Sequence, residues 1–441
     1  MPLTRLRRFR RTPRPRGLIL IAVLCLALSA CTSLIKREGG GAAGGGAISS
    51  TIKIGYVSPR TGTLAPFGEA DTFVITQMKK FFADNGISIG GKRRNVEIVV
   101  RDSQSDSKRA GDVAAQLILQ DNVDLILVGA TPDTTNPVAD QGEANGVPVI
   151  STVAPWQPYF FGRKGDPAKP FQWTYHFFWG LEDVETVYQD MWDAVGTNKQ
   201  VAAIWPNDPD GNAWGDPKLG FPPAVAKRGY KMIDPGHYAN GTQDFSAQIS
   251  RFKTENAEVL AGVPIPPDFT TFWKQAAQQG YRPRIATIGK ALLFPSTIES
   301  LGSLGQNLGT EVWWTPTHPF KSSLTGQSAK ELADAYTKDT GKQWTQPLGF
   351  VHALFEVAAA ALQAANPADG RRGIATALSR LKVDTIVGPL DWTKGPVPNV
   401  AKTPLVGGQW RSSAGGRFDL VVVSNKAYPD IPLGGSVAAL R

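Results

Sequence analysis

VDLILVG, residues 123–129, is a near-continuous apolar run set between two helical patterns, SKRAGDVAAQLILQDN (107–122) and residues 132–145. A strand apolar on both faces belongs inside a sheet covered by helices on either side, which is the position of a parallel strand. The neighbouring segments repeat the arrangement. TIKIGYV (51–57), VEIVVRD (96–102) and VPVIST (147–152) read as strands, and residues 66–86 read as a helix stopped by Gly86. Strands alternating with helices of this length give βαβ units and a parallel sheet.

The pattern then restarts. Helices at 181–195, 216–228, 244–256 and 267–279 lead to strands at 201–206, 232–238, 258–264 and 285–290, with a further strand at 310–316. The second unit echoes the first in architecture and not in residues. Helices follow at 327–340, 347–365 and 370–381, then loops and short strands. The reading is an α/β protein with two doubly wound lobes, as expected for a chain too long for a single core.

The chain opens differently. MPLTRLRRFRRTPRPR carries seven arginines and no acid, GLILIAVLCLAL is apolar, and LSAC follows. A basic region, a short apolar run and small residues make a secretory leader. Residues 36–50, KREGGGAAGGGAISS, read as a flexible tether. The leader holds seven of the nine excess positive charges, so the rest of the chain carries only about +2. That removes the case for a nucleic-acid partner. Cys25 lies in the leader and leaves Cys31 as the only cysteine beyond it, so no disulfide or cysteine metal site is expected. No later segment reads as long and apolar enough to span a bilayer.

FQWTYHFFWG (171–180) places Phe171, Trp173, Tyr175, Phe177 and Trp179 at alternate positions, one face of a strand. It lies between the two units. Most of this stripe is expected in lobe core, with Phe178 and Trp179 toward a cleft between lobes. Catalytic motifs are missing: no G-x-S-x-G, no H-E-x-x-H and no phosphate-binding Lys loop. The histidines at 176, 237, 318 and 352 lack metal-ligand spacing, and His352 reads as a hydrogen-bonded core residue. No catalytic residue, metal or cofactor is expected, and the chain is read as a non-enzyme.

Several stretches together resemble bacterial substrate-binding proteins of the branched-chain amino acid and amide class. They are KIGYVSPRTGTLAPFGE, the run from DSQSDSKRAG to GVPVIST, GTQDFSAQISRFKTENAEVL, and VVGPLDW. The order and spacing of these stretches over 51–425 carry the resemblance. It implies a type I periplasmic-binding fold, two lobes joined by three crossovers. The implied division is a leader at 1–30, an anchor and tether at 31–50, lobe 1 at 51–180, lobe 2 at 181–315, lobe 1 again at 316–395, and a segment at 396–441 returning to lobe 2. Leu28-Ser29-Ala30-Cys31 resembles a lipobox, implying a lipid on Cys31 and an extracytoplasmic, membrane-anchored protein. The implied role is capture of a small molecule for a membrane-embedded ABC permease, with the chain acting as a monomer. Ligand sensing without transport is a second role open to the same fold.

The resemblance also places candidate ligand contacts. Thr131, Asp133, Thr134 and Thr135 lie where the loop meets the ligand's carboxylate, with Pro-Asp-Thr-Thr replacing the usual serines. Thr131-Pro132 and Asn136-Pro137 read as N-cap and first-turn pairs, whose free N–H groups suit an anion. Phe67 stands where an aromatic covers the ligand, and Ala154, Pro155 and Trp156 replace small polar residues. Asn212, Trp214, Pro264 and Ile265 follow strands of the second unit. Lys290 is the informative departure: relatives that bind amino acids place an acid after this strand, and TIGKALLF has none. With Trp179, these residues suggest an aromatic or bulky apolar carboxylate in place of leucine.

Overall fold

The computed structural model describes residues 47–440. The leader, the Cys31 lipobox and residues 31–46 of the anchor and tether lie outside the described residues.

Six strands open the chain: β1 (Thr51–Ser58), β2 (Ile87–Ile89), β3 (Lys92–Asp102), β4 (Leu125–Gly129), β5 (Val149–Thr152) and β6 (Thr174–Phe177). Five follow: β7 (Gln200–Ile204), β8 (Lys231–Ile233), β9 (Val259–Gly262), β10 (Ile285–Ile288) and β11 (Gly309–Val312). A hairpin, β12 (Lys382–Thr385) and β13 (Gly388–Asp391), precedes β14 (Val400–Ala401), β15 (Val406–Ser412) and β16 (Phe418–Ser424). The first sheet has the order β14-β6-β5-β4-β1-β3-β2 and the second β16-β15-β11-β10-β9-β7-β8. Each is parallel through its middle, with β2 antiparallel at one edge of the first and β15 and β16 antiparallel at one edge of the second. This is the two-lobed α/β architecture expected from the alternation.

The chain passes between the sheets three times: from β6 into helix Leu181–Val195, from β11 toward helix Ala329–Thr340, and from β14 to β15. Val400–Ala401 still pairs with β6, so the last return comes a few residues later than 396. Two of the crossings are tied by charge. Lys402 on the third lies 2.7 Å from both Glu182 and Asp183 on the first.

Local chemistry explains the helix ends. Gly86 closes helix Asp71–Asn85 at φ 61°, a left-handed conformation that only glycine adopts cheaply. Ser328 and Glu331 form a reciprocal capping box before helix Ala329–Thr340. Residues 66–86 divide into a short 3-10 turn, Ala65–Gly68, and the helix proper. The helix read at 216–228 shrinks to Phe221–Lys227, and Pro209–Trp214 forms a separate helix before it. The Asn136-Pro137 pair lies inside helix Pro132–Asn145 and caps nothing; Asn136 Nδ2 instead donates to the Pro158 carbonyl at 3.0 Å.

One sequence expectation, that no segment after the leader is long and apolar enough to span a bilayer, is overturned by length and composition. Helix Pro347–Ala364 has 18 residues and is long and apolar enough to cross a membrane. It is instead a core helix of the first lobe, with nearly all its side chains inside. His352 on it accepts or donates one hydrogen bond with Ser322 Oγ at 2.8 Å and is held neutral by burial, as a core histidine.

Only Thr174–Phe177 of the aromatic stripe is strand. Phe177 is fully buried, stacked on Phe350 at 6.1 Å and edge-on to Trp392 at 6.2 Å. Trp173 receives the Arg372 guanidinium 3.7 Å from its ring centroid. The stripe is therefore mostly lobe core, and its end continues into the first crossover.

Candidate functional site

Ligands of open α/β sheets sit beyond the carboxyl ends of the strands. In this molecule the loops after β1, β4 and β5 meet those after β7, β9, β10 and β11 around a cavity of ≈ 30 Å³. Its apolar walls are Phe67, Val153, Pro155, Phe178, Trp179, Trp214, Val263, Leu293 and Trp313, and its polar lining is Thr131, Asp210, Lys290 and Glu311. Phe67 meets Phe294 of the other lobe edge-on at 4.9 Å, and Trp179 meets Trp214 at 6.5 Å. The lobes are closed on one another, with room for about one water between them.

Three indole N–H groups on this wall, those of Trp179, Trp214 and Trp313, are buried without a hydrogen-bond partner, as is Asp210 Oδ1. Buried polar groups are normally satisfied, so each of these four calls for a partner from outside the protein.

Lys290 is 5% exposed and faces inward, with Nζ 2.9 Å from both Asp208 and Asp210. Burial alone would lower its pKa; the charges of Asp208, Asp210 and Asp133 outweigh that and hold it above the usual lysine value. Asp208 caps helix Pro209–Trp214 by accepting from Gly211 N–H at 2.8 Å, and also accepts from Asn240 Nδ2 at 3.2 Å. Burial raises its pKa, but Lys290 and these bonds hold it below the carboxylate norm. Asp210 lacks such bonds, and burial pushes it up despite Lys290. Glu311 is raised to about 7 by burial, with Tyr188 Oη and Thr310 Oγ1 donating to its Oε2.

Backbone conformation marks the same spot from both sides. Val153, just past β5, has φ +60°, and Lys290, just past β10, has φ +54° and ψ −67°. Lys290 is the centre of a γ-turn closed by Ala291 N–H to the Gly289 carbonyl at 2.5 Å. β5 and β10 hold corresponding places in their sheets. A β-branched residue at positive φ and a γ-turn of this hand are each costly, and such strain gathers at ligand clamps.

The sequence-derived candidates divide. Phe67, Thr131, Pro155, Trp179, Trp214 and Lys290 line the cavity. Asp133 stands beside it, half-buried, accepting from Thr131 Oγ1 at 3.1 Å, and its charge bears on Lys290. Thr131 is the N-cap by position, but its hydroxyl goes to Asp133 and leaves the helix N–H groups uncapped by a side chain. Thr134 and Thr135 are buried in the helix, outside the lining, with unpartnered hydroxyls. Trp156 does not wall the cavity. Its indole N–H donates to Glu182 at 3.1 Å, which draws the ring to the crossover. The Ala154 carbonyl is taken by His176 Nε2 at 2.8 Å. Asn212 is exposed and bonded to His237 at 2.8 Å. Pro264 and Ile265 are buried beside Val263, which takes the lining position they were expected to fill.

The loop that carries Lys290 has no acid, as read, yet Lys290 is not left without one. The acids come from a different loop, Asp208 and Asp210 after β7, and from Glu311 in β11. The D-P-D run in NDPDGNAWG was their signal, two acids at the first turn of a helix beyond a strand. Trp313 and Val153 carried none. Among the described residues no group of three or more His, Cys, Asp or Glu side chains is placed to hold a metal ion.

Comparison with known proteins bears on the family and the fold. Residues 51–415 match the family model described as periplasmic binding protein. A leucine binding protein from Thermotoga maritima is 19% identical, with TM-score 0.68 over 85% of this chain and 99% of that one. A solute binding protein of an ABC transporter from Rhodopseudomonas palustris BisB5, in complex with 3,4-dihydroxybenzoic acid, is 17% identical, with TM-score 0.67 over 85% and 97%. Another from R. palustris, in complex with 4-hydroxybenzoate, is 16% identical, with TM-score 0.68 over 85% and 96%. On the match across most of its length and this shared fold, the chain belongs to the periplasmic binding protein family.

Proposed function

We propose that this protein is the solute receptor of an ABC importer, capturing an aromatic or bulky apolar carboxylate between its lobes and passing it to a membrane-embedded permease. The observation that carries the reading is the ring-walled cavity at the lobe junction, where Phe67, Phe178, Trp179, Trp214 and Trp313 converge. Similar folds hold 3,4-dihydroxybenzoic acid and 4-hydroxybenzoate. The carboxylate is assigned to the first-lobe side, where the N-terminus of helix Pro132–Asn145 has no side-chain cap; to bind there it must take over the Thr131 hydroxyl from Asp133. Lys290 does not serve as its counter-ion, because two aspartates already hold it. A cavity of ≈ 30 Å³ is far below the roughly 300 Å³ or more of a drug-sized site. Uptake therefore requires the lobes to part at the crossovers and close again, a hinge motion. Lipid attachment at Cys31 would hold the receptor at the membrane, with residues 36–50 as its tether.

Calorimetric titration of the full chain with leucine, valine, short amides and a panel of benzoates and phenylalkanoates tests the reading. Micromolar or tighter binding of an aromatic acid is expected, about −8 kcal/mol or better. Tight leucine or valine binding with no response to any aromatic acid would overturn it.

A further inference from the structure

We propose that Asp210 selects the ligand's second polar group: its Oδ1 accepts a hydrogen bond from a hydroxyl, amine or amide N–H at the end of the ligand held by the second lobe. This rests on the reading of the cleft as a solute site and names a functional group its ligand must carry.

Asp210 is 2% exposed and lines the cavity. Lys290 Nζ takes Oδ2 at 2.9 Å, and Oδ1 is buried with no partner in the protein. Its neighbour Asp208 shows what satisfaction looks like: Oδ1 accepts from Gly211, and Oδ2 from Lys290 and Asn240. The difference confines the free acceptor to the residue that faces the cleft. A buried acceptor left without a donor destabilises the protein, more so when charged, and a ligand donor placed there recovers that cost.

Of the groups lining this end, Asp210 is the one whose free oxygen is both buried and unpartnered. Glu311 accepts from Tyr188 and Thr310 on Oε2 and sits on β11, not on the helix that carries Trp214. Lys290 is fixed between two carboxylates and held in a γ-turn, so its ammonium is not free to turn to an incoming acceptor. One cation shared by two carboxylates leaves the second-lobe end short of positive charge, which favours a donor over a second anion. Trp214 lies four residues after Asp210 in helix Pro209–Trp214 and shares the cavity lining with it. Residues at this spacing meet on one helix face. A flat ring lying along Trp214 therefore brings a substituent on its edge to Asp210. Where amino-acid-binding relatives were expected to carry an acid, after β10, this chain has Lys290, and the acceptor is moved to the loop beyond β7.

The test uses matched probes on the full chain. Wild type is titrated with 4-hydroxybenzoate, 4-aminobenzoate, 4-methoxybenzoate and 4-methylbenzoate, and with tyramine and 4-hydroxybenzyl alcohol, which keep the donor and lack the carboxylate. The donor-bearing benzoates are expected to bind about tenfold or more tightly than the methoxy and methyl analogues, about 1.4 kcal/mol. In Asp210→Asn, Lys290 retains the amide oxygen and the NH₂ replaces Oδ1, so the preference should reverse toward 4-methoxybenzoate over 4-aminobenzoate. The wild-type ratio decides the matter even if that variant folds poorly. Equal affinities with and without the donor overturn the proposal and leave the aromatic-acid reading standing. Asp210-dependent binding of tyramine or the benzyl alcohol, with none of the benzoates, supports the proposal and removes the carboxylate. Binding of no probe overturns both.

Discussion

Replacing Lys290 by alanine removes the cation from a buried cluster whose three side chains are 5%, 4% and 3% exposed. Two carboxylates are then left facing each other away from water. Removing one partner of a buried ion pair costs about 3–5 kcal/mol, against about 0–1 for a lysine on the surface. The loss should depend on pH. Asp210 is already pushed up by burial, and without Lys290 its proton affinity rises further. The folded variant then binds a proton that the unfolded chain, with an aspartate pKa of about 3.9, does not. Stability that depends on such a proton is lost as pH rises, so the deficit against wild type should be near 3–5 kcal/mol at about pH 8 and smaller at about pH 5. Lys290→Gly separates backbone from charge. It loses the same ammonium but relaxes φ +54°, and should exceed the alanine variant by about 1 kcal/mol once glycine's greater unfolded-state entropy is set against the strain. Urea unfolding followed by tryptophan emission at the two pH values measures all of this. A deficit under about 1 kcal/mol at pH 8, or one of equal size at both pH values, would refute the buried-cluster argument.

Three further outcomes follow from named contacts. Burial raises Asp71, Glu311 and Glu356 to about 7 each, above their unfolded values, so their contribution is full below about pH 4 and lost as pH rises through about 7; because the buried histidines His176, His318 and His352 titrate in the opposite sense, the test is wild type against Glu356→Gln, whose stability difference in urea should favour wild type more near pH 5 than near pH 7.5, and the reverse order would contradict it. A methyl group at Gly180 would collide with Trp156 Nε1 and the Glu182 carboxylate, so Gly180→Ala should lower stability by about 1–3 kcal/mol in thermal melts; an unchanged melting temperature would show that the crossover can give way. Cys31→Ser should move the protein from the membrane to the soluble fraction, and a wild type that is already soluble and carries no lipid mass would end the anchor proposal.

What the sequence determined by itself was the part of the structure encoded at short range. Apolar periodicity over windows of 5–15 residues is a local property, so helix Pro132–Asn145 and helix Leu181–Val195 emerge at the expected residues, and the two-sheet plan follows from their alternation with strands. The loops that meet at the cleft were legible for a related reason: they are the segments following apolar strands, and the open ends of parallel strands converge. Phe178 and Trp179 were placed toward the cleft simply because they close a strand at a crossover.

Only the tertiary structure decided which way the side chains in those loops turn. Lys290 read as the lone charge of an acid-free loop, yet its partner Asp208 lies 82 residues away, with Asp210 beside it, both brought in by pairing of β7 and β10 with β9. Trp156 read as a cavity wall until Glu182, 26 residues on, drew its indole to the crossover. Glu311 is held by Tyr188 across 123 residues. Hydrophobic burial is nearly non-directional and can be summed along a segment, whereas a hydrogen bond or ion pair needs its partner within about 3 Å and at a given angle. The partner's position depends on how separate strands order themselves in a sheet, and no local pattern around Lys290 or Trp156 records that order.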